Sequence, residues 1–241
     1  MTTQQIASVQ QDVAEEQQAH PISKNCIFIL SVTQDSGYGA ENVLIHLLSG
    51  WPASQQSIIV AAPPNSSVYK CVHKPNISFL ALNTRQNTIT ANITAANQLV
   101  PYLRECALVH GWSSRTFEIA WWLHKRLNKP AICTLHDHPK AQFITPSRQH
   151  VMQWAASHLD GLVCVSNGVR NACVAAGYRT SLSVIYNGLV DENQQKCPPS
   201  KNNVVRAGFL GMNAPRKGYR IIEKWIRHTE GQQIEWHLYG D

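Results

Sequence analysis

The sequence predicts an α/β fold built on a doubly wound parallel sheet. From Asn25 onward, short apolar runs alternate with segments of helical period. Several of these runs are apolar at every position, as strands buried on both faces are. Each run also ends in a polar or glycine-containing corner before the next helical segment, which is the rhythm of β-loop-α units.

Taken in order, Cys26–Val32 (CIFILSV) is the first strand, and the corner after it leads into a helix over Ala40–Leu48. Ser57–Ala62 and Ile77–Leu82 are the next two strands, followed by a helix over Thr90–Arg104. Ala107–His110 is a strand ending in His-Gly, and Arg115–Leu127 a helix. Ala131–Leu135 reads as a strand, Pro146–Ser157 as a helix, Gly161–Ser166 as a strand and Asn167–Ala176 as a helix. Leu182–Tyr186 closes this first set of strands. A polar break with Pro198-Pro199 follows over Asp191–Asn203 and reads as a linker. The rhythm restarts with strand Val204–Leu210, a helix from about Gly218 to Thr229, and strand Ile234–Tyr239. The expected organisation is a mobile polar extension over 1–22, an α/β domain over 23–190, the linker over 191–203, and the truncated start of a second α/β domain over 204–241.

Composition limits the function classes. Of 241 residues, 44% are apolar and 15% charged, which suits a packed core and excludes a disordered polymer. No run approaches the ~20 apolar residues of a membrane span, and the polar N-terminal stretch does not read as a secretory signal. The seven cysteines are odd in number and form no Cys-x-x-Cys pair, an argument for a reducing cytoplasm and against a zinc site or a disulfide framework. The sequons at Asn65, Asn76 and Asn92 then read as chance. The net charge is +6; the first 20 residues hold Asp12, Glu15 and Glu16 and no Lys or Arg, so the remainder carries +9. A basic body points to an anionic ligand or an acidic membrane surface. No long Lys/Arg run gives nucleic-acid binding a focus.

In doubly wound sheets ligands bind beyond the carboxyl ends of the strands, so the residues there are the site candidates. After the first strand, Gly37 and Gly39 flank Tyr38 at a corner that opens a helix, where free N–H groups suit a phosphate or a sugar hydroxyl. Asn42 breaks the spacing of a dinucleotide fingerprint, which speaks against a nicotinamide enzyme. The fifth strand ends in His136-Asp137-His138-Pro139, where an imidazole and a carboxylate can bind a polyol or act near a leaving group. His110 ends the preceding strand in the same way. Ser166 and Asn167 fit either a ligand or a helix cap, and Asn187-Gly188 either a ligand or a tight turn. Arg216 and Lys217 precede Gly218 at a helix start, a pairing that favours a bound anion such as a diphosphate. In the helix over Arg115–Leu127, Phe117, Trp121 and Trp122 with Lys125 and Arg126 fit either packing on the sheet or contact with an acidic bilayer.

Five elements in order resemble the GT-B glycosyltransferases, specifically the retaining enzymes of glycosyltransferase family 4. They are Ser36-Gly37-Tyr38-Gly39-Ala40-Glu41, Cys133-Thr134-Leu135-His136-Asp137, Asp160-Gly161-Leu162-Val163-Cys164-Val165-Ser166, Val184-Ile185-Tyr186-Asn187-Gly188, and Gly208-Phe209-Leu210-Gly211 with Lys217-Gly218. The resemblance implies two Rossmann-like domains, acceptor-side first and donor-side second, and a retaining transfer from a nucleotide sugar to a glycan or lipid-linked acceptor. By position it implies His136 beside the transferred sugar as the catalytic candidate. It places Lys217 on the donor diphosphate, the Gly37–Gly39 loop near donor phosphate or acceptor, and Asn187-Gly188 at the crossing between domains. The donor-binding candidates are accordingly Gly37, Gly39, Asn187, Gly188, Arg216 and Lys217, and the acceptor-binding candidates His110 and Asp137. It calls for no cofactor and no metal, because Lys and helix dipoles can stabilise a leaving diphosphate. It also implies a cytoplasmic setting with peripheral contact at an acidic membrane face. Two departures stand out: Met212 follows Gly211 where the family commonly has Arg, and the family's donor-binding pair of glutamates lies beyond Asp241. The alternative reading is a non-catalytic module on the same fold that binds a glycan or a partner.

Overall fold

The computed structural model describes residues 26–31, 39–82, 88–188, 204–211 and 217–240. The expected extension over 1–22, the linker and the residues Gly37 and Arg216 lie outside them. The chain divides into two compact units, Met1–Val190 and Asp191–Asp241.

The first unit holds a seven-stranded sheet of β1 (Cys26–Leu30), β2 (Ile58–Ala62), β3 (Ile77–Ala81), β4 (Cys106–Gly111), β5 (Ala131–Leu135), β6 (Gly161–Cys164) and β7 (Leu182–Val184). Every pairing is parallel and the order is β3-β2-β1-β4-β5-β6-β7. Its helices are α1 (Gly39–Gly50), α2 (Ser67–Cys71), α3 (Ile89–Leu99), α4 (Phe117–Leu127), α5 (Pro146–Ala156) and α6 (Asn167–Ala175). The doubly wound parallel sheet expected from the sequence is therefore present.

Side-chain alternation along β1 splits the core. Cys26, Phe28 and Leu30 enter a large cluster with residues of α3 to α6, while Ile29 packs with Leu44 and Leu48 of α1 and with Val68 of α2. Helix α1 reaches the sheet because Glu41, Leu44 and Leu48 recur on one face. The short helix α2 has no counterpart in the sequence reading, since five residues are too few to show a period; the Ser66 side chain caps it by accepting from the Tyr69 N–H. The helix expected over Thr90–Arg104 stops at Leu99 and continues as a 3-10 turn over Val100–Tyr102, where Pro101 has no N–H for an α-helical bond.

Helix α4 buries Phe117, Ile119, Ala120 and Leu123, and Asn128 ends it in the left-handed conformation at φ 53°. Its two tryptophans bridge to other helices. Trp121 meets Trp154 of α5 edge-on with ring centroids 4.5 Å apart, and Trp122 Nε1–H donates to Asn97 Oδ1 of α3 at 2.8 Å. No helix among the described residues is long and apolar enough to cross a membrane.

The second unit contains β8 (Val205–Leu210), α7 (Tyr219–His228) and β9 (Ile234–Tyr239), with β8 and β9 parallel and Arg206 opposite Glu235. Trp236 Nε1–H donates to Thr229 Oγ1 at 3.0 Å, tying β9 to the residue that ends α7.

Candidate functional site

The strand order reverses between β1 and β4, so the crevice of an open α/β sheet falls at their carboxyl ends. Leu30 pairs with Gly111 in register, and the Trp112 N–H donates to the Leu30 carbonyl at 3.0 Å. On the other side of β4, His110 lies opposite Ile132 and Gly111 opposite Cys133 of β5. Because side chains alternate, His110 and Trp112 at the end of β4 share a face with Thr134 and His136 at the end of β5.

These four side chains form one cluster. His110 Nε2 and Thr134 Oγ1 share a hydrogen bond of 2.8 Å. The Trp112 ring lies 5.3 Å from the His110 ring and 5.3 Å from the His136 ring, centroid to centroid. Its Nε1–H donates to the Ala40 carbonyl in the first turn of α1 at 2.7 Å. Both ring nitrogens of His136 are buried without a partner that meets full hydrogen-bond geometry among the described residues, the Trp112 backbone being the uncharged polar group that acts on the ring.

Burial sets the charge of both imidazoles. Loss of water lowers the His110 pKa to about 4, with a smaller contribution from the neighbouring His136. His136 is also lowered, chiefly by burial; the Asp137 carboxylate and the Trp112 backbone, which favour its charged form, offset part of that. Both rings are therefore held neutral near pH 7, and a neutral imidazole has one donor and one acceptor nitrogen to offer a polyol.

The loop after β4 is tightly built. A Cβ on Gly111 would lie 2.6 Å from Cys133 Sγ and would collide with Thr116 Oγ1, so only glycine fits there. The Ser113 N–H donates to Thr116 Oγ1 at 3.3 Å and the Thr116 N–H to the Ser113 carbonyl at 2.9 Å, which opens the 3-10 turn Ser114–Thr116. Below it, Arg148 of α5 pairs with the buried Glu118 of α4 through two bonds of 2.8 Å and also donates to the Ser114 carbonyl.

The remaining candidates lie as follows. Gly39 is exposed at the start of α1, and Asp137 is exposed beside His136. Ser166 caps α6 by accepting from the Val169 N–H at 3.2 Å, so its cap role accounts for it. Asn187 and Gly188 are exposed beyond β7, and Asn167 Nδ2–H donates to the Tyr186 hydroxyl at 2.9 Å. In the second unit Lys217 is exposed just before Gly218, which adopts φ 79° at the start of α7. Thus the structure brings His110 and His136 together in the first unit. Trp112, Glu118 and Arg148 escaped the sequence reading, and Thr134 entered it only as part of a strand; the spacing of two that puts Trp112 with His110 and Thr134 with His136 was the available signal.

The fold and this switch-point cluster define a Rossmann-like α/β domain of the kind found in GT-B glycosyltransferases. The chain belongs to Glycosyltransferase Family 4, whose family model matches residues 38–193. No curated protein matches the chain significantly. Among solved structures it is similar to HepE from Anabaena in complex with UDP and glucose, at TM-score 0.73 and 19% identity, over 90% of this chain and 61% of HepE. The complex of HepE with UDP-glucose matches at TM-score 0.71 and 19% identity, over 88% and 60%. Sucrose-phosphate synthase from Thermosynechococcus elongatus matches at TM-score 0.61 and 15% identity, over 90% and 71%. The chain spans less than two thirds of the length of HepE.

Proposed function

We propose that this chain is the acceptor-side domain, with the start of the donor-side domain, of a retaining glycosyltransferase that moves a sugar from a nucleotide-sugar donor to a glycan or lipid-linked acceptor. The observation that carries the reading is His136 at the carboxyl end of β5, packed on Trp112 beside the switch point of a Glycosyltransferase Family 4 sheet. The HepE complexes with UDP and UDP-glucose support a nucleotide sugar as the donor class.

In this reading His136 lies beside the transferred sugar and hydrogen-bonds a hydroxyl through a ring nitrogen. The exposed Asp137 carboxylate accepts from an acceptor hydroxyl, and His110, whose Nε2 shares a hydrogen bond with Thr134, is the second proposed acceptor-binding residue. The bond from the anomeric carbon to the diphosphate oxygen breaks, the acceptor oxygen replaces it on the same face, and the acceptor proton leaves with the diphosphate. Gly37, Gly39, Asn187, Gly188, Arg216 and Lys217 are the proposed donor-binding residues. The cationic Lys217 and Arg216 stabilise the departing diphosphate without a metal or other cofactor. A cytoplasmic setting, with contact at an acidic membrane face, fits the net charge of +6.

The test is titration with UDP-glucose and other nucleotide sugars, followed by NMR, together with release of nucleoside diphosphate in the presence of glycan acceptors. Nucleotide-sugar binding lost in Lys217→Ala and weakened in His136→Ala, with weak or no transfer by the parent chain on its own, is the expected result. Glycan binding that survives both substitutions, with no nucleotide-sugar binding by the parent, makes the chain a non-catalytic module instead.

A further inference from the structure

We propose that Trp112 is a positioning residue, holding the first turn of α1 and the His136 imidazole as one unit at the switch point. Its purpose rests on the transferase reading above, but its test does not.

Trp112 reaches three elements at once. Its backbone N–H closes the end of β1 at Leu30, and its indole N–H crosses to Ala40 of α1 at 2.7 Å, 72 residues earlier in the chain. Its ring fills the space between His110 of β4 and His136 of β5. The side chain is only 6% exposed and packs in the cluster of Ile29, Leu44 and Leu48, so it offers no open face on which a ligand could stack. It therefore acts through its neighbours. Its N–H takes one lone pair of the Ala40 carbonyl just inside the glycine corner, and its ring keeps water from one side of His136. A group bound at the start of α1 and a group bound at His136 are thereby held in fixed register, the arrangement that a transfer between two substrates needs.

The consequence for His136 can be measured directly. The titratable groups acting on that ring are Asp137 beside it and His110 on β4. Neither is altered by a side-chain change at Trp112, and the Trp112 backbone that also acts on the ring is kept in every variant, so a change in the His136 titration reports the indole. Trp112→Leu removes the aromatic surface and the N–H; Trp112→Phe keeps a six-membered ring and removes the N–H with the five-membered part of the indole.

The experiment is an NMR pH titration of the His136 Cε1–H, assigned by comparison with His136→Gln, with amide exchange at Val43 and Leu44 measured on the same samples. The parent titrates below the ordinary imidazole range. Trp112→Leu raises the His136 midpoint by about half a unit or more, because water reaches the ring. Trp112→Phe leaves the midpoint nearly in place and speeds exchange at Val43 and Leu44 about ten-fold. Unchanged exchange in Trp112→Phe overturns the proposal, as does an unchanged His136 midpoint in a folded Trp112→Leu. If Trp112→Leu does not fold, the Trp112→Phe exchange alone decides. Failure of the parent to bind UDP-glucose sinks the transferase reading and leaves both measurements standing.

Discussion

Arg148 closes a fork on Glu118: Nη1 and Nη2 each donate to one carboxylate oxygen at 2.8 Å, across 30 residues of sequence. Glu118 is 2% exposed, so its charge is held inside the protein by this guanidinium. The same group donates to the Ser114 carbonyl and so anchors the loop that follows β4. Arg148→Met should cost about 3 kcal/mol, because a buried carboxylate loses its partner. Replacing both residues, Glu118→Leu with Arg148→Met, should recover most of that, leaving about 1 kcal/mol for the Ser114 carbonyl. Urea unfolding of the two single variants and the double variant checks this. Single variants within 0.5 kcal/mol of the parent would show the pair to be solvated.

That pair also marks the limit of what the sequence discloses. Continuously apolar runs such as Ile58–Ala62 and corners rich in Gly and His reveal strands, their parallel pairing and the strand ends, because these depend on local period. The positions of His110 and His136 followed from the same rule. Glu118 and Arg148 sit on two different helices, and only the packing of α4 against α5 brings them together, so no spacing reports them. Trp112 is an intermediate case. Its face is fixed by alternation with His110, but its bond to Ala40 spans the reversal of strand order between β1 and β4.

Gly111 is a site of strict steric demand. A methyl group there would stand 2.6 Å from Cys133 Sγ and would also strike Thr116 Oγ1, whose position is fixed by its bond to the Ser113 carbonyl at 2.7 Å. Gly111→Ala should destabilise the first unit by about 1–3 kcal/mol. Adding Cys133→Ala removes one of the two obstacles and should return part of the loss. Thermal or urea unfolding of the single and double variants measures it, and no recovery in the double variant would place the strain wholly on Thr116.

Asp160 opens one of the five runs that resemble the family, yet its geometry is structural. Its Oδ2 accepts from the Ala131 N–H at 2.8 Å and lies 3.5 Å from His124 Nδ1, at the amino end of β5 and so opposite the candidate site. His124 Nδ1–H itself donates to the Lys129 carbonyl at 2.8 Å. Asp160→Ala should therefore lower stability by about 1–2 kcal/mol. It should leave nucleotide-sugar binding and the His136 titration as they are. A loss of binding in a folded Asp160→Ala protein would assign this residue to the site after all.

The pH dependence of folding follows from His110. Its folded pKa, about 4, lies below the ordinary imidazole value, so between these pH values the unfolded chain binds the proton and the native state does not. Stability is then complete above the unfolded imidazole pKa and falls as pH drops through the window toward 4. At pH 5 the loss from this one group is about 2 kcal/mol relative to pH 7. His136, shifted the same way by burial, adds to it. His110→Gln retains a polar group beside Thr134 Oγ1 and removes the titration, so its stability should change less between pH 7 and pH 5 than that of the parent. Urea unfolding at the two pH values decides the matter: equal slopes in parent and variant would mean that His110 takes up its proton in the folded state.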